Sequence, residues 1–398
     1  MKKLIAGPLT LEYSNGSLWN ISNGSEEAIR RIYLVFQDIN WTSRPFIIKD
    51  EIWQIADRSF SAKIKAQGSH DAKDLSIELE ITGSESGEIT YGFSASTAVS
   101  FLRNRLGLCL LHPIAGLSGR ECELTKADGA VEISRFPDAI SPNQPFLNLS
   151  GISHKLQSGQ VVSVKFEGEI FETEDHRNWS DASYKTYSTP IELPFPAKVS
   201  KGEKIEQEIQ ISLEGIASKE PEPSEVEISI DISPSEIDLP DIGLCLANDY
   251  SDSDHQDFND LGIKHLRLDL DLDDVDENCL GSALEVTKKL SLKLEISIKA
   301  ATNYQLSKFL TTNLDLLGSV SNFIIFSKSS KVTTTEFISV ARQVLGGAAC
   351  ISGGTDLYFT EINRGDSVVP GIDQINFSLN PQVHSFDDRT VIQNLATQ

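Results

Sequence analysis

The chain is poor in positive charge, because 35 Lys and Arg stand against 58 Asp and Glu, giving a formal net charge of −23 over 398 residues. Nucleic acids and anionic membrane surfaces attract basic patches, so this balance argues against both as partners. No apolar run approaches the ~20 residues that a membrane helix needs. Gly7 and Pro8 interrupt the apolar N-terminus too early for a signal peptide. We therefore expect a cytoplasmic protein that binds neither nucleic acid nor membrane.

Cysteine is scarce, and several signature motifs are missing. The five cysteines are odd in number and include no CxxC pair, so they predict free thiols rather than disulfides or a zinc site. There is no GxGxxG or GxxxxGK[ST] for nucleotides, no GxSxG nucleophile elbow and no HExxH metal motif. We expect no cofactor and no metal; His384 with Glu361 or Asp269 is the alternative set for a divalent cation.

Residues 1–235 show the alternation of apolar and polar residues, with a period of two, that β-strands have. Thr10–Tyr13 and Ile29–Phe36 are examples, and turn-forming Asn-Gly and Asp-Gly pairs lie between such segments. Short strands at this spacing, with few helical stretches, predict an antiparallel β-sandwich. A Pro- and Glu-rich stretch at 218–225 predicts an exposed hinge, and a last alternating strand follows it at 226–232.

Beyond Pro240, continuous apolar strands alternate with helix-like stretches. The predicted strands are Ile242–Ala247, His265–Leu270, Leu292–Ile298, Phe323–Phe326, Ala348–Ser352 and Ile375–Leu379, and the predicted helices are Ser282–Leu290, Tyr304–Leu310 and Thr334–Leu345. This alternation predicts a parallel sheet with right-handed crossovers, and an open doubly wound sheet is less favoured without a nucleotide motif. Six β/α units fall short of a closed barrel, which needs at least ~200 residues. The predicted fold is therefore multidomain, an antiparallel β-sandwich over residues 1–235 and an incomplete TIM-type barrel over 241–398.

The segment 171–190, FETEDHRNWSDASYKTYSTP, combines charged and aromatic side chains with almost no aliphatic ones. Aromatic faces beside Arg, Asn and carboxylates suit a polyol, which stacks its C–H faces and hydrogen-bonds its hydroxyls. The segment predicts substrate-binding roles for Asp175, Arg177, Asn178 and Trp179. The alternative is a long loop held by ion pairs of Arg177 and Lys185 with Asp175 and Asp181.

Polar residues also follow the predicted strands of the second domain, where a barrel enzyme holds its site. Arg267 and Asp269 share one face of a strand, GGTDLYFTEINR (353–364) follows the fifth strand, and NPQVHSFDD (380–388) follows the sixth. Gly353 and Gly354, at the start of the stretch 353–364, predict that the chain turns sharply as it leaves the fifth strand. These strand ends are expected to meet at one edge of the sheet.

Of a carboxylate and an imidazole at neighbouring strand ends, one can act as general base and the other as general acid. Glu361 and His384 are therefore the predicted catalytic residues, with Glu361 as base and His384 as oxyanion donor or acid. Arg267, Asn363 and Asn380 are the predicted positioning groups. The alternative for Glu361 is a salt bridge to Arg364.

Five stretches together resemble the D-apionate lactonases of the bacterial D-apiose pathway. They are FLRNRLGLCLLHP (101–113), ISPNQPFLNL (140–149), the 171–190 segment, GGTDLYFTEINR and NPQVHSFDD. The resemblance implies hydrolysis of the lactone of D-apionate, a branched C5 sugar acid, by a hydrolase of carboxylic ester bonds in pentose catabolism. It also implies an N-terminal β domain and a barrel domain. Three positions depart from the family pattern: His176 replaces glutamine, Ser188 replaces cysteine and Gln393 replaces glutamate.

Two other functions stay open on the residues alone. A glycoside hydrolase would use two carboxylates ~5–10 Å apart at the top of the barrel. A non-catalytic carbohydrate-binding relative would keep the sandwich with a defunct half-barrel, and Gln393 in place of a carboxylate suits that reading. The expected partner is a small sugar lactone, and a homo-oligomer is neither required nor excluded.

Overall fold

The computed structural model describes residues 1–72, 74–215, 240–246, 261–276, 278–365 and 369–397. The chain divides into two compact units, one formed by Met1–Val226 with Pro381–Gln398 and the other by Glu227–Asn380. The predicted hinge at 218–225 and the strand at 226–232 lie outside the described residues, and the predicted domain limits stay predictions. No helix in the described part of the chain is long and apolar enough to cross a membrane.

The first unit is an antiparallel β domain. Its strands are β1 (Lys2–Ala6), β2 (Leu9–Ser14), β3 (Ser17–Asn23), β4 (Glu26–Gln37), β5 (Ile47–Ile55), β6 (Phe60–Gln67), β7 (Leu75–Gly83), β8 (Ile89–Thr97), β9 (Phe101–Arg103), β10 (Arg105–Pro113), β11 (Glu121–Lys126), β12 (Val131–Arg135), β13 (Phe146–Lys155), β14 (Val161–Glu167), β15 (Phe171–Asp175), β16 (Ser183–Tyr187), β17 (Ala197–Val199) and β18 (Lys204–Glu214). Short 3-10 turns occupy His70–Ala72 and His176–Trp179.

Sixteen of these strands form one hydrogen-bonded sheet. Its order is β1-β2-β3-β4-β10-β16-β15-β13-β14-β18-β8-β7-β6-β5, with β11 and β12 attached beside β13, while β9 and β17 form a separate pair. Strict alternation of buried and exposed residues along β7 shows how the period of two selects the inner face. The hydroxyl of Tyr91 in β8 donates to the carbonyl of Gly16 in the β2–β3 turn, so distant strands of the sheet face each other. One apolar core, from Leu4 to Ile211, fills the space between them. The predicted antiparallel β domain is confirmed.

The second unit is a parallel α/β unit. Its strands are β19 (Gly243–Cys245), β20 (His265–Asp271), β21 (Lys293–Ala300), β22 (Val320–Ser327), β23 (Ile351–Tyr358) and β24 (Gln374–Ser378), and its helices are α1 (Cys279–Leu290), α2 (Asn303–Thr312), α3 (Leu314–Leu317), α4 (Thr335–Leu345) and α5 (Phe359–Asn363). The six strands are parallel and pair in sequence order, as in a barrel, without the reversal of a doubly wound sheet. Leu280, Leu306 and Phe337 from three helices pack on the sheet. A parallel, barrel-type sheet is confirmed, and the number of β/α units stays a prediction.

Gly353 and Gly354 do not form the sharp exit predicted from the sequence, because β23 continues through them to Tyr358. A Cβ on Gly354 would lie 2.1 Å from the carbonyl oxygen of Asn376 in β24, and the φ of Gly354 is +141°. Glycine is needed there for the close approach of two strands. Glu361 consequently lies on the short helix α5 and not on a loop.

The last described residues belong to the first unit. They contain α6 (Asp388–Asn394) and a 3-10 turn at Leu395–Thr397. The side chain of Asp387 caps α6 by accepting a hydrogen bond from the backbone N–H of Thr390 at 2.9 Å. This cap fixes the entry of the helix just after His384.

Candidate functional site

The segment 171–190 contains β15, the 3-10 turn and β16, and most of it is buried. Nη2 of Arg177 lies 2.7 Å from Oδ2 of Asp175, and both side chains are nearly inaccessible. The same guanidinium donates to the backbone carbonyls of Pro137, Asp138 and Ala139. These contacts favour the alternative reading, in which an ion pair holds the segment together.

Asn178 and Trp179 complete the set of predicted substrate-binding residues in this segment. The amide of Asn178 donates to the carbonyls of Ser141 at 2.7 Å and Asp175 at 3.1 Å. Trp179 is half-buried. The structure brings these two residues and the Arg177–Asp175 pair together, but the polar groups of Asp175, Arg177 and Asn178 already bind the protein itself, so the substrate-binding role stays a prediction.

The predicted catalytic residue His384 lies in the first unit beside Asp181. Its Nδ1 is 2.5 Å from Oδ2 of Asp181, and its side chain is 37% exposed. The other oxygen of Asp181 accepts from the amide of Asn394 at 3.1 Å, and Oδ1 of Asn394 accepts from the backbone N–H of Ala182 at 2.9 Å. Helix α6 therefore positions the carboxylate that orients the imidazole.

The electrostatics keep this carboxylate ionised. Burial alone would raise the pKa of Asp181, but the hydrogen bond with His384 and the nearby imidazole of His176 lower it below its usual range. With Nδ1 of His384 bound to a carboxylate, Nε2 is the ring nitrogen left to exchange a proton with a ligand or water. This is the arrangement of a general acid–base residue with its orienting carboxylate.

His176 stacks on His384 with ring centroids 4.4 Å apart and an angle of 12° between the planes. Burial, the neighbouring ring of His384 and the ammonium of Lys185 lower the pKa of His176. The residue is therefore neutral at pH 7 and its Nδ1 lies 3.3 Å from Oγ of Ser183. A flat neutral ring stacked on His384 restricts the motion of the His384 imidazole.

Lys185 and Glu174 form a second ion pair next to these rings, with 3.0 Å between Nζ and Oε1. Burial opposes both charges, yet each group shifts the pKa of the other in favour of the charged form, raising that of Lys185 and holding that of Glu174 well below its usual range. The two residues face each other in the β15–β16 ladder. Glu174 is not among the residues predicted from the sequence, although a β-hairpin over 171–190 would place it opposite Lys185.

His176, Asp181 and His384 present possible metal-ligand atoms within 4.8 Å of one another. A ring nitrogen binds metal through a lone pair in the plane of its ring, at ~2.1 Å. Two stacked and nearly parallel rings cannot both direct a lone pair at one point at that distance. The neighbouring ammonium of Lys185 also disfavours a cation here. The geometry fits a hydrogen-bonded pair of Asp181 and His384 better than a metal centre.

Glu361, the predicted base, lies in the second unit on α5. Its Oε1 is 3.1 Å from Nζ of Lys331, so its ion-pair partner is Lys331 where the sequence suggested Arg364. Asn363 ends the same helix. Glu361 and His384 belong to different compact units, and their joint action stays a prediction.

Arg267 and Asp269 form an ion pair on β20, with 2.8 Å between Nε and Oδ1, as their shared strand face predicts. Asn380 is the last residue of the second unit. Further ion pairs, which the sequence analysis missed, lie near the carboxyl ends of the parallel strands and join Lys299 to Asp356 and Lys328 to Asp271 and Asp273. Sequence alone could not pair these residues because they come from separate β/α units.

Comparisons with known proteins cover both parts of the chain. Residues 1–216 match the model of the D-apionate lactonase N-terminal domain, and residues 242–398 match that of the D-apionate lactonase TIM barrel domain. A D-apionate lactonase of Brucella anthropi is 28% identical, in an alignment that covers 98% of this chain and 68% of that relative.

Solved structures were compared as well. An aldose epimerase homologue from C. elegans is 9% identical, with a TM-score of 0.30 over 54% of this chain and 99% of that one. A galactose 1-epimerase from Lactobacillus acidophilus is 9% identical, with a TM-score of 0.31 over 52% of this chain and 94% of that one. The assignment rests on the family models, which together take in both the β domain and the parallel unit: the chain belongs to the D-apionate lactonase family.

Proposed function

We propose that this protein hydrolyses the lactone of D-apionate to the open-chain acid, as a hydrolase of carboxylic ester bonds in pentose catabolism. The observation that carries the proposal is membership of the D-apionate lactonase family across both parts of the chain. A glycoside hydrolase is not favoured, because neither family model describes one.

Lactone hydrolysis requires a base for the attacking water, a donor for the tetrahedral oxyanion and an acid for the departing ring oxygen. In our proposal Nε2 of His384 removes a proton from water as the oxygen attacks the lactone carbonyl. Asp181 holds Nδ1 and stabilises the imidazolium that results. The imidazolium then returns the proton to the ring oxygen as the C–O bond breaks, which leaves the carboxylic acid and a new hydroxyl.

The assignment made from the sequence is the second candidate for the chemistry. There Glu361 is the base, His384 donates to the oxyanion or acts as acid, and the positioning groups are Arg267, Asn363 and Asn380. Glu361 forms an ion pair with Nζ of Lys331, and a water deprotonated by this base would have to approach its other carboxylate oxygen. Asp175, Arg177, Asn178 and Trp179 remain the proposed contacts with substrate hydroxyls.

A pH-stat assay tests the function directly. Acid release from D-apionolactone is expected, with slower release from common aldonolactones and no sugar release from aryl glycosides. Saturable lactone binding in a calorimeter without acid release would instead identify a non-catalytic carbohydrate-binding relative. Sugar release from an aryl glycoside, with no lactone opening, would identify a glycoside hydrolase.

Four finer points belong to the same proposal. We propose a barrel domain with about six β/α units in this chain, a cytoplasmic location, and catalysis without metal or cofactor. Nucleic acid is not a proposed partner, in keeping with the acidic composition. Full activity after dialysis against a chelator is the result expected for catalysis without a metal. Light scattering of the purified protein measures whether it forms a homo-oligomer.

A further inference from the structure

A cavity of about 610 Å³ lies within the β domain, next to His384. Its walls come from strands β3 to β8, from residues 43–46, from Lys185 of β16 and from the segment 383–386. The side chains that give it chemical character are Arg31, Tyr33, Gln37, Arg44, Lys185 and His384. A volume of this size suits a small ligand. The sequence analysis did not predict it, because strands far apart in the chain form its walls.

Arg31 is the cation of this cavity that lacks a counter-ion. Its guanidinium lies between two rings, 3.9 Å from the centroid of Trp19 and 4.2 Å from that of Tyr33. Nη2 donates to Oγ of Ser17 at 3.3 Å, whereas the buried Nε has no hydrogen-bond partner among the described residues. A half-buried guanidinium without an anion is only partly compensated by water, so an incoming anion gains a strong contact here.

The other cations of the cavity are already paired. Lys185 binds Glu174 at 3.0 Å, and Arg44 binds Asp38 at 2.7 Å. Asp387 exerts some negative charge on Arg31, but its oxygens accept from Thr390 and Ser385. Among the lining residues that the structure describes, Arg31 is therefore the cation with capacity for a ligand.

We infer that this cavity binds a small hydroxy-carboxylate, the chemical class of the lactonase product, with its carboxylate on Arg31. The inference rests on the proposed function, since the carboxylate is formed where His384 lines the same cavity. A single guanidinium, held between two aromatic rings, fits a carboxylate in both charge and planar shape. Inorganic phosphate carries up to two charges and would require a second unpaired cation. Gln37, Tyr33 and Ser43 offer hydrogen bonds for hydroxyl groups.

Trp19 provides the measurement, because its ring contacts the guanidinium that would bind the ligand. Titration of the full chain with sodium D-apionate should change the tryptophan fluorescence saturably, and Trp19→Phe should abolish the change. Arg31→Gln should weaken binding ~10-fold or more, as loss of a charge-assisted hydrogen bond does. The affinity of Arg31→Lys for D-apionate should lie between those of the wild type and Arg31→Gln. Arg135 is an exposed arginine on β12, and Arg135→Gln should bind D-apionate like the wild type.

Other anions separate specific recognition from attraction to charge. Gluconate should bind with a similar signal, and inorganic phosphate should bind much more weakly. Phosphate binding as tight as that of D-apionate, or undiminished D-apionate binding by a folded Arg31→Gln variant, overturns the inference. Circular dichroism establishes folding, and if that variant does not fold, the absence of saturable D-apionate binding by the wild type overturns the inference by itself.

Failure of the inference and failure of the proposed function give different results. A wild-type enzyme that opens the lactone, with no product binding and no effect of Arg31→Gln on KM, retains the function and loses the inference. A protein that binds D-apionate through Arg31 but releases no acid from the lactone retains the inference and loses the function.

Discussion

Oδ2 of Asp181 lies 2.5 Å from Nδ1 of His384, although 203 residues separate the two in the chain. The Asp181–His384 pair joins the start of β16 to the segment that leads into α6. Asn394 contacts both sides of this junction, because its amide donates to Asp181 and to the carbonyl of Pro381. The pair is thus a tertiary contact within the first unit, formed by residues that are far apart in the sequence.

Asp181→Asn should lower kcat for lactone opening by ~10²–10⁴-fold with little change in KM, because an amide cannot stabilise the imidazolium or hold the correct tautomer. Initial rates from the pH-stat assay measure the effect. Asp128→Asn, in an exposed turn, is the matched control. Wild-type turnover by Asp181→Asn would remove the Asp181–His384 pair from the mechanism.

Arg177→Ala should destabilise the β domain by ~3–5 kcal/mol, because it leaves the buried carboxylate of Asp175 without its cation. Urea unfolding followed by circular dichroism measures the change. Arg135→Ala removes an exposed pair with 3.9 Å between its atoms and should cost less than ~1 kcal/mol. A variant at Arg177 with normal stability and a raised KM would instead support the substrate-binding role predicted from the sequence.

Glu361→Gln should reduce turnover ~100-fold or more if the carboxylate is the base. The change is nearly isosteric, and Lys331 is exposed, so little stability should be lost. Glu285→Gln, on the exposed side of α1, controls for loss of a charge. Turnover like that of the wild type would end the assignment of Glu361 and leave His384 as the acid–base residue.

The β domain should lose stability in mild acid because two histidines are buried in its core. Burial lowers the pKa of His154 from 6.5 to about 4 and, with the charge of His154, lowers that of His112 well below its usual value. Since the folded pKa is the lower one, the unfolded chain takes up protons first as pH falls. Stability is therefore complete above the ordinary imidazole pKa and declines below it, by about 3 kcal/mol for His154 alone.

Urea unfolding at several pH values between about 7.5 and 4.5 measures this decline. His154→Leu should flatten the curve, because it removes the group that titrates. The window ends at about the ordinary pKa of a glutamate carboxyl group, so the low pKa of Glu174 contributes only at its acid end. A stability that does not change across this range contradicts the prediction.

Much of the fold could be predicted because the local pattern of apolar and polar residues indicates which face of a strand is buried. The alternation at Ile29–Phe36 and the apolar run at Phe323–Phe326 each indicate a strand without knowledge of its neighbours, and both lie in observed strands, β4 and β22. Strand order could not be predicted in the β domain. There β18 lies between β14 and β8, an arrangement that depends on contacts between residues far apart in the chain.

The site was harder to predict than the fold. The mixture of charged and aromatic residues marked 171–190 as a candidate segment, but composition does not distinguish side chains that face a ligand from side chains that face each other. Arg177 is engaged with Asp175 and with backbone carbonyls. Nothing in the sequence marked Arg31 as a binding residue, because the pattern around Arg31 and Tyr33 is that of an ordinary β-strand. The cavity at Arg31 is formed by strands that are far apart in the sequence.

The late position of His384 has a consequence for biosynthesis. Strands β1 to β18 leave the ribosome long before the segment that brings this imidazole to Asp181. A nascent chain can thus complete most of its β pairing while still chemically inert. Any chain released before codon 384 is translated would lack the group that we propose as the proton carrier, so competence for lactone opening would be acquired only after that codon.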